Sequence, residues 1–343
     1  MENHSTRKLR IGINGLGRIG RAVTRASLGR DDLEIVGIND LSEVDDLAYL
    51  LRYDSVHGRL PVLVEAKGDA LELDGRPISV TRARDPKDAD WSARGVDLVI
   101  ESTGFFTARA DAAKHLDAGA ERVLISGPSK DADGMFVPWV NTDQYDAAQH
   151  RVVSMASCTT NCIAPVAEVL HRHFGIENLF LSTVHAYTST QALQDRPADK
   201  PTRGRAAAVS IVPTSTGAAK ATGIVIPALA GRMDGLSYRV PVPDGSASDM
   251  VIRLERAADL DAVHRVLREE SEGRYAGILT LSEDPLVSAD ILGDPHSSII
   301  DVPSSMQIGD RTIKLLSWYD NEIGYSNRLL DFAAFMTGRG AQS

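Results

Sequence analysis

Cys158 and His185 are the residues best placed to do chemistry in this chain of 343 residues. Cys158 lies in the run Ser157-Cys158-Thr159-Thr160-Asn161-Cys162, and the spacing predicts a helix over 159–174. A thiol at a helix start meets free N–H groups and the positive end of the dipole, which favour a thiolate. The same N–H groups, with the hydroxyls of Ser157 and Thr159, suit an oxyanion or a phosphate. By position alone a buried structural thiol is the commoner fate of a cysteine, and that reading suits Cys162, one turn into the apolar face. His185, in Thr183-Val184-His185-Ala186-Tyr187, falls on the strand after that helix. A β-α-β-like return can bring it to the helix start, where an imidazole would stabilise the thiolate and shuttle a proton. Read alone it is an ordinary core histidine. The other eight histidines have no comparable context and are expected at the surface.

Two further sets of residues bind anions by type. Thr188, Arg203, the Thr214-Ser215-Thr216-Gly217 turn and Arg239 offer hydroxyls, a glycine turn and guanidinium groups suited to phosphate, although each alone is also a plain turn or surface residue. Near the start, Gly15-Leu16-Gly17-Arg18-Ile19-Gly20 is a G-x-G-x-x-G run between a strand at 9–14 and a helix at 18–28. Its glycines permit a tight turn, close approach of backbone to a pyrophosphate and close helix packing. Asp40 ends the next strand, 34–39, where a carboxylate binds the adenosine ribose hydroxyls and repels a 2′-phosphate; this favours NAD over NADP.

The elements that must position these groups fall in two blocks. Up to about residue 157, strands and helices alternate, which predicts a parallel, doubly wound α/β sheet. It contains a helix capped by Ser42, two or three short strands within 60–81, strands at 97–102, 123–126 and 152–154, and an alanine-rich helix over 108–118. After residue 158 come a strand at 179–187, a polar stretch over 188–205 that is long enough to be functional or interfacial, strands at 236–242, 249–254 and 314–319, and helices at 260–271 and 324–336. This predicts an α+β domain with a mixed or antiparallel sheet. The net charge of −10 argues against general binding to nucleic acid or to a membrane surface. Two cysteines with no further Cys or His nearby build neither a disulfide framework nor a metal site, so two free thiols in the cytoplasm are expected. The first ten residues are polar, with no apolar signal core, and no run of about 18 apolar residues exists to span a bilayer.

Taken together, INGLGRIGR, STGFFT, SCTTNC, TVHAYT, RAAAVSIVPTSTGAAKA, RVPVPDG, GDPHSSIID and SWYDNEIGYSNR make the chain resemble the phosphorylating glyceraldehyde-3-phosphate dehydrogenases over essentially its whole length. The resemblance implies a Rossmann domain of residues 1–157 completed by 321–343, with a catalytic domain of 158–320 between, in a homotetramer of glycolysis or gluconeogenesis. It implies that Arg18, Ile19, Asp40, Arg84 and Ser126 line the cofactor site and that Asn321 bonds the nicotinamide amide. It also implies a Cys158 thioester formed from glyceraldehyde 3-phosphate, with His185 as base, and cleaved by inorganic phosphate. Thr188, Arg203 and Arg239 would hold the substrate's phosphate; Ser157, Thr159, Thr216 and Gly217 would hold the attacking one. Tyr325 would support His185 or the substrate.

The chain departs from the family pattern at Thr190, where an Asp is common, at Arg196 in Asp195-Arg196-Pro197, and at Ile323, where a Trp is common. Arg196 could accept the 2′-phosphate of NADP and so pulls against Asp40. An erythrose-4-phosphate dehydrogenase, which hydrolyses its thioester with water, and a catalytically silent nucleotide-binding protein are the rival readings.

Overall fold

The computed structural model describes residues 7–338. Most of the polar N-terminal stretch, residues 1–6, and the end of the expected 321–343 segment, residues 339–343, lie outside the described residues. The chain forms two compact units, one of residues 1–138, 143–156 and 326–343 and one of residues 139–142 and 157–325. The breaks between these compact units fall at 156/157 and 325/326.

In the first unit, β1 (Leu9–Asn14) leads through the glycine turn into α1 (Arg18–Ser27), β2 (Leu33–Asn39) and α2 (Val44–Arg52). Three short strands follow, β3 (Val64–Lys67), β4 (Ala70–Leu73) and β5 (Arg76–Thr81), then β6 (Leu98–Glu101), β7 (Arg122–Ile125), β8 (Gly134–Met135) and β9 (Val152–Ser154). They form one nine-stranded sheet in the order β8-β9-β7-β6-β1-β2-β5-β4-β3. It is parallel from β8 to β5 and antiparallel at the β5-β4-β3 edge. β1 and β6 are buried along nearly their whole length, as suits central parallel strands covered on both faces.

Two local expectations are corrected. Ser42 does not cap α2: its N–H donates to Asp40 Oδ1 at 2.9 Å in a tight turn, and the helix starts behind Glu43 with no side-chain cap. The 108–118 helix breaks into Arg109–Ala112 and Lys114–Asp117, because the Leu116 N–H closes a tighter i−3 bond on Ala113 O at 2.8 Å.

The second unit opens with α3 (Cys158–Phe174) and β10 (Ile176–Ala186). Ser157 caps α3, its Oγ accepting from the Thr160 N–H at 3.1 Å, and Gly175 ends it at φ 72°. The polar stretch folds back on itself through bonds such as Arg196 N–H to Gly204 O at 2.9 Å. Then come β11 (Val212–Ser215), α4 (Ala218–Val225), β12 (Met233–Val240), β13 (Ser246–Leu254), α5 (Leu260–Glu272), β14 (Leu279–Ser282), β15 (Ser298–Ile308) and β16 (Thr312–Tyr319). The sheet is mixed, in the order β11-β12-β10-β13-β16-β15-β14. Its β10–β12 pair is parallel and sets His185 beside Arg239. α3 buries Cys162, Ile163, Val166 and Leu170, and packs on β13, β15 and β16. β15 was not expected from the sequence: Pro303 and two serines interrupt its alternation, and the pairing register shifts between Asp301 and Met306. A last helix, α6 (Ile323–Met336), carries the chain from the second unit into the first.

Candidate active site

Ala156, the residue before Ser157, has φ 54°, a left-handed conformation that an alanine adopts only where the surroundings hold it. It turns the chain so that Ser157 caps α3 and Cys158 takes the first helical position. The Cys158 Sγ lies 3.5 Å from His185 Nε2, so the expected return of β10 to the helix start is formed. The other ring nitrogen, Nδ1, lies 2.7 Å from Ala186 O. A carbonyl only accepts, so Nδ1 carries the proton and Nε2 turns its lone pair to the sulfur.

The charges are less simple than the helix start suggested. The Thr159 N–H and the Arg239 guanidinium both favour a Cys158 thiolate, but burial outweighs them and pushes the thiol up. Burial, with the nearby Arg239 and Arg203 charges, also holds His185 down to about 3. Each group taken alone is therefore kept neutral. Cys162 is a buried thiol pushed up to about 11, bonded to Ser317 Oγ at 3.3 Å, which fits the structural reading given to it.

Tyr319, which the residue-by-residue reading passed over, joins the pair. Its hydroxyl bonds Thr159 Oγ1 at 2.8 Å, and its ring stands edge-on to His185 with centroids 6.0 Å apart. It ends a strand whose burial alternates strictly, and that alternation was the available signal that it points inward. Tyr325, the residue singled out instead, is buried, and its phenol is raised well above its ordinary range by burial and by Cys158.

Thr188, Arg203 and Arg239 converge. Arg239 Nη1 donates to Ala186 O at 3.0 Å and approaches Thr188 Oγ1 at 3.4 Å, while Arg203 Nε donates to Thr214 Oγ1 at 3.0 Å. Burial, with the neighbouring Arg203 charge, lowers the Arg239 guanidinium. Among the described residues neither arginine has a carboxylate partner, and the Arg239 Nε is buried without an acceptor. Two unneutralised cations with spare donors suit an anion. The other expected set is divided. The Ser157 hydroxyl accepts the capping Thr160 N–H, and that of Thr159 pairs with the Tyr319 hydroxyl; an oxygen that accepts a bond keeps its own proton, so neither bond removes these hydroxyls as donors to a phosphate. Thr216 accepts from the Ala218 N–H at 3.2 Å, and Gly217 caps α4 with no side-chain bond and open space where a Cβ would stand. Asn321 Oδ1 accepts from the Ser246 hydroxyl at 2.6 Å, which leaves its NH2 to donate elsewhere.

In the first unit the glycine run is built as expected. Gly15 has φ 90°, and a Cβ there would meet Thr103 Cγ2 at 2.8 Å; a Cβ at Gly20 would fall 2.2 Å from Gly15 O. Gly17 differs, with nothing within 4 Å of its Cβ position, so the turn is open on that side. It is also the cap of α1 and makes no side-chain bond. Asp40 accepts the Leu16 N–H at 2.8 Å, which fixes its carboxylate beside the turn. Ile19 lies in the first turn of α1, Ser126 follows β7 and Arg84 is exposed. Arg18 is ion-paired to Asp54 at 2.6 Å. An open glycine cradle at a helix start with an anchored carboxylate fits a dinucleotide. Of the other eight histidines expected at the surface, His4 lies outside the described residues, six are half-buried, and His115 is fully buried, bonded to Trp91 and Glu101.

A doubly wound nucleotide-binding unit followed by a unit holding a thiol against an imidazole is the build of a cofactor-dependent oxidoreductase. Residues 9–109 match the family described as glyceraldehyde 3-phosphate dehydrogenase, NAD binding domain, and residues 157–321 its C-terminal domain. The chain is 50% identical over 332 residues to the glyceraldehyde-3-phosphate dehydrogenases of Priestia megaterium and Geobacillus stearothermophilus, covering 97% of this chain and 99% of each relative. It is 48% identical over 332 residues to that of Haemophilus influenzae, covering 95% of this chain and 97% of the relative. The chain belongs to the glyceraldehyde 3-phosphate dehydrogenase family. Its first unit is accordingly an NAD-binding domain.

Proposed function

We propose that the chain oxidises D-glyceraldehyde 3-phosphate with NAD and inorganic phosphate to 1,3-bisphosphoglycerate, through a thioester on Cys158. The observation that carries this reading is the 3.5 Å approach of Cys158 Sγ to an imidazole nitrogen whose partner nitrogen is fixed on Ala186 O. NAD, when bound, supplies the hydride acceptor; Gly15, Gly17, Gly20, Asp40, Arg18, Ile19, Arg84 and Ser126 would hold it, and the free NH2 of Asn321 would meet its carboxamide. The Cys158 proton passes to His185 Nε2 as sulfur attacks the aldehyde carbon. His185 returns that proton to the new oxyanion, then removes it again as the hydride leaves, so a C=O forms on the thioester carbon. Phosphate oxygen attacks that carbon, the C–S bond breaks, and the thiolate is regenerated beside the imidazolium. Arg239, Arg203 and Thr188 hold the substrate's phosphate. Thr216 and Gly217, with Ser157 and Thr159 at the helix start, hold the attacking phosphate.

The names of the relatives favour this reading over an erythrose-4-phosphate dehydrogenase or a silent nucleotide-binding protein. A homotetramer is part of the same proposal. Phe180, 64% exposed and paired across the strands with the half-exposed Val251, leaves an apolar sheet face open, and Val209 and Ile211 stand out beside the polar loop. Such apolar surface marks an association site. Both thiols are unpaired, which suits the cytoplasm, and among the described residues no helix is long and apolar enough to cross a membrane. The test is an activity matrix of NAD or NADP, with and without phosphate, on glyceraldehyde 3-phosphate. The expected result is phosphate-dependent NAD reduction with NAD preferred. Asp40→Ala should move the kcat/KM ratio toward NADP by about tenfold, because a fixed like charge is removed. A phosphate-independent rate, or a clear NADP preference in the unmodified enzyme, would count against the reading.

A further inference from the structure

We propose that Glu101 is a positioning residue for the cofactor, gripping the glycine turn from beneath through Asn14 and Thr103. Thr81, Asn39, Asn14 and Glu101 stand side by side at the carboxyl ends of β5, β2, β1 and β6, where the parallel registers pair Asn39 with Thr81 and Asn14 with both Asn39 and Glu101. Their side chains form a one-way relay. The Thr81 hydroxyl donates to Asn39 Oδ1 at 3.0 Å, the Asn39 NH2 to Asn14 Oδ1 at 2.8 Å, and the Asn14 NH2 to Glu101 Oε2 at 2.5 Å. From the other side the Trp91 indole donates to His115 Nδ1 at 2.9 Å. An indole only donates, so the His115 proton is on Nε2, 3.1 Å from Glu101 Oε2, and donates there. The second carboxylate oxygen accepts the Thr103 N–H at 2.8 Å and the Thr103 hydroxyl.

Glu101 is 1% exposed, and among the described residues no lysine or arginine pairs with it. Four dipoles solvate its charge in place of a cation. Burying a charge this way is costly unless each oxygen keeps its donors, so the arrangement is rigid. Its two near arms end on the glycine turn. Asn14 is the residue before Gly15, and Thr103 is the wall that Gly15 touches: a Cβ on Gly15 would lie 3.0 Å from the Thr103 Cα and N. The Ser102 hydroxyl, between them, donates to Gly15 O at 2.7 Å. The motif STGFFT thus begins one residue after a buried anchor, and its first two residues carry the hold to the turn whose open side would receive the pyrophosphate of a bound dinucleotide. The proposal rests on the NAD-dependent reading above.

Glu101→Gln tests it, because an amide NH2 meets a donor whichever way it turns: Asn14 and His115 on one side, the Thr103 N–H on the other. Thr103→Val removes one near-side donor at constant shape, and Trp91→Phe removes the far-side donor without touching the turn. NAD affinity is read by titration calorimetry on the apoprotein, kcat and KM by steady state, and stability by thermal unfolding. Losing a hydrogen bond to a charged group implies about a tenfold weaker NAD affinity and a matching rise in KM for Glu101→Gln, with kcat at saturating NAD within about threefold of the unmodified enzyme. Thr103→Val should follow in the same sense, while Trp91→Phe should lower stability and leave NAD affinity unchanged. If Glu101→Gln fails to fold, Thr103→Val decides. Folded variants that bind NAD within about twofold of the unmodified protein overturn the proposal, as does an equal loss of affinity in Trp91→Phe. An unmodified protein that binds no NAD sinks the functional reading itself, a different result from variants that bind it as well as their parent.

Discussion

The hydroxyl pair between Thr159 and Tyr319 offers a direct test of how the candidate active site is held. Both residues are buried, at 5% and 1% exposure, and their oxygens are 2.8 Å apart. Thr159→Val keeps the shape of the side chain and strands the Tyr319 hydroxyl, whose phenol is raised well above its ordinary range by burial and stays protonated. Tyr319→Phe keeps the ring against His185 and strands the Thr159 hydroxyl. Leaving one buried polar partner unsatisfied costs about 1–3 kcal/mol, whereas replacing both by apolar groups of the same shape is nearly neutral. Each single variant should therefore unfold about 2–12 °C lower, at roughly 2–4 °C per kcal/mol for a unit of this size, and the double variant should lose less than the two single losses together. Calorimetric melting of the four proteins completes the cycle. The single effects should sum to more than the double effect by at least about 1 kcal/mol. Strict additivity would mean that the two hydroxyls do not bond, and the account of how α3 and β16 are registered at the site would fall with it. Activity gives a second reading: Tyr319→Phe should hold kcat within about threefold, because the ring edge on His185 survives.

Two predictions concern pH. His185 is held down to about 3 in the folded chain and titrates near 6.5 when unfolded, so the unfolded state binds the extra proton first. Its contribution to stability is full above about pH 6.5 and is lost as pH falls toward 3, by up to about 1.4 kcal/mol per pH unit. His185→Gln should flatten that acid limb in a denaturant series, and an unchanged limb would refute the assignment. Asp244 behaves in the opposite sense: burial beside Asp320 and Glu322 pushes its carboxyl up to about 9, so it is protonated when folded and ionised when unfolded at neutral pH. Stability should fall as pH rises from about 4 to 9 through this group, and Asp244→Asn should melt higher than the unmodified protein at pH 9 while differing little at about pH 4. Equal melting of the two proteins at both values would show that Asp244 does not carry the loss.

Much of this site could be read before any coordinates, because its signals are local. The glycine run, Asp40 and the alternation of strands and helices depend on backbone sterics within about 30 residues, and the nine-stranded sheet follows from them. Other features were hidden for particular physical reasons. β15 is masked by Pro303 and its neighbouring serines, which mimic a loop while a register shift absorbs them. The protein partners of the Thr159 and Ser157 hydroxyls, a tyrosine 160 residues away and the helix cap, depend on tertiary packing and on cap geometry. His115 reads as a surface residue because nothing nearby in sequence reveals that Trp91 and Glu101 close over it.

The charge state of Cys158 was the least legible feature, since it turns on burial. Helix start, Thr159 N–H and Arg239 all favour a thiolate, and sequence spacing registers only such favourable neighbours. Desolvation acts on every lone charge in the site, on the imidazolium as well as the thiolate. It acts much less on the two together. Moving one proton across the 3.5 Å between Sγ and Nε2 creates both charges at once, and their attraction at an effective dielectric of about 20 is about 5 kcal/mol. A site that resists charging one group at a time can thus be charged by a single short proton transfer, with Arg239 holding the thiolate end and the Ala186 carbonyl the imidazolium end. That coupling is why neither Cys158 nor His185 is persuasive alone, and why the distance between them carries the functional reading.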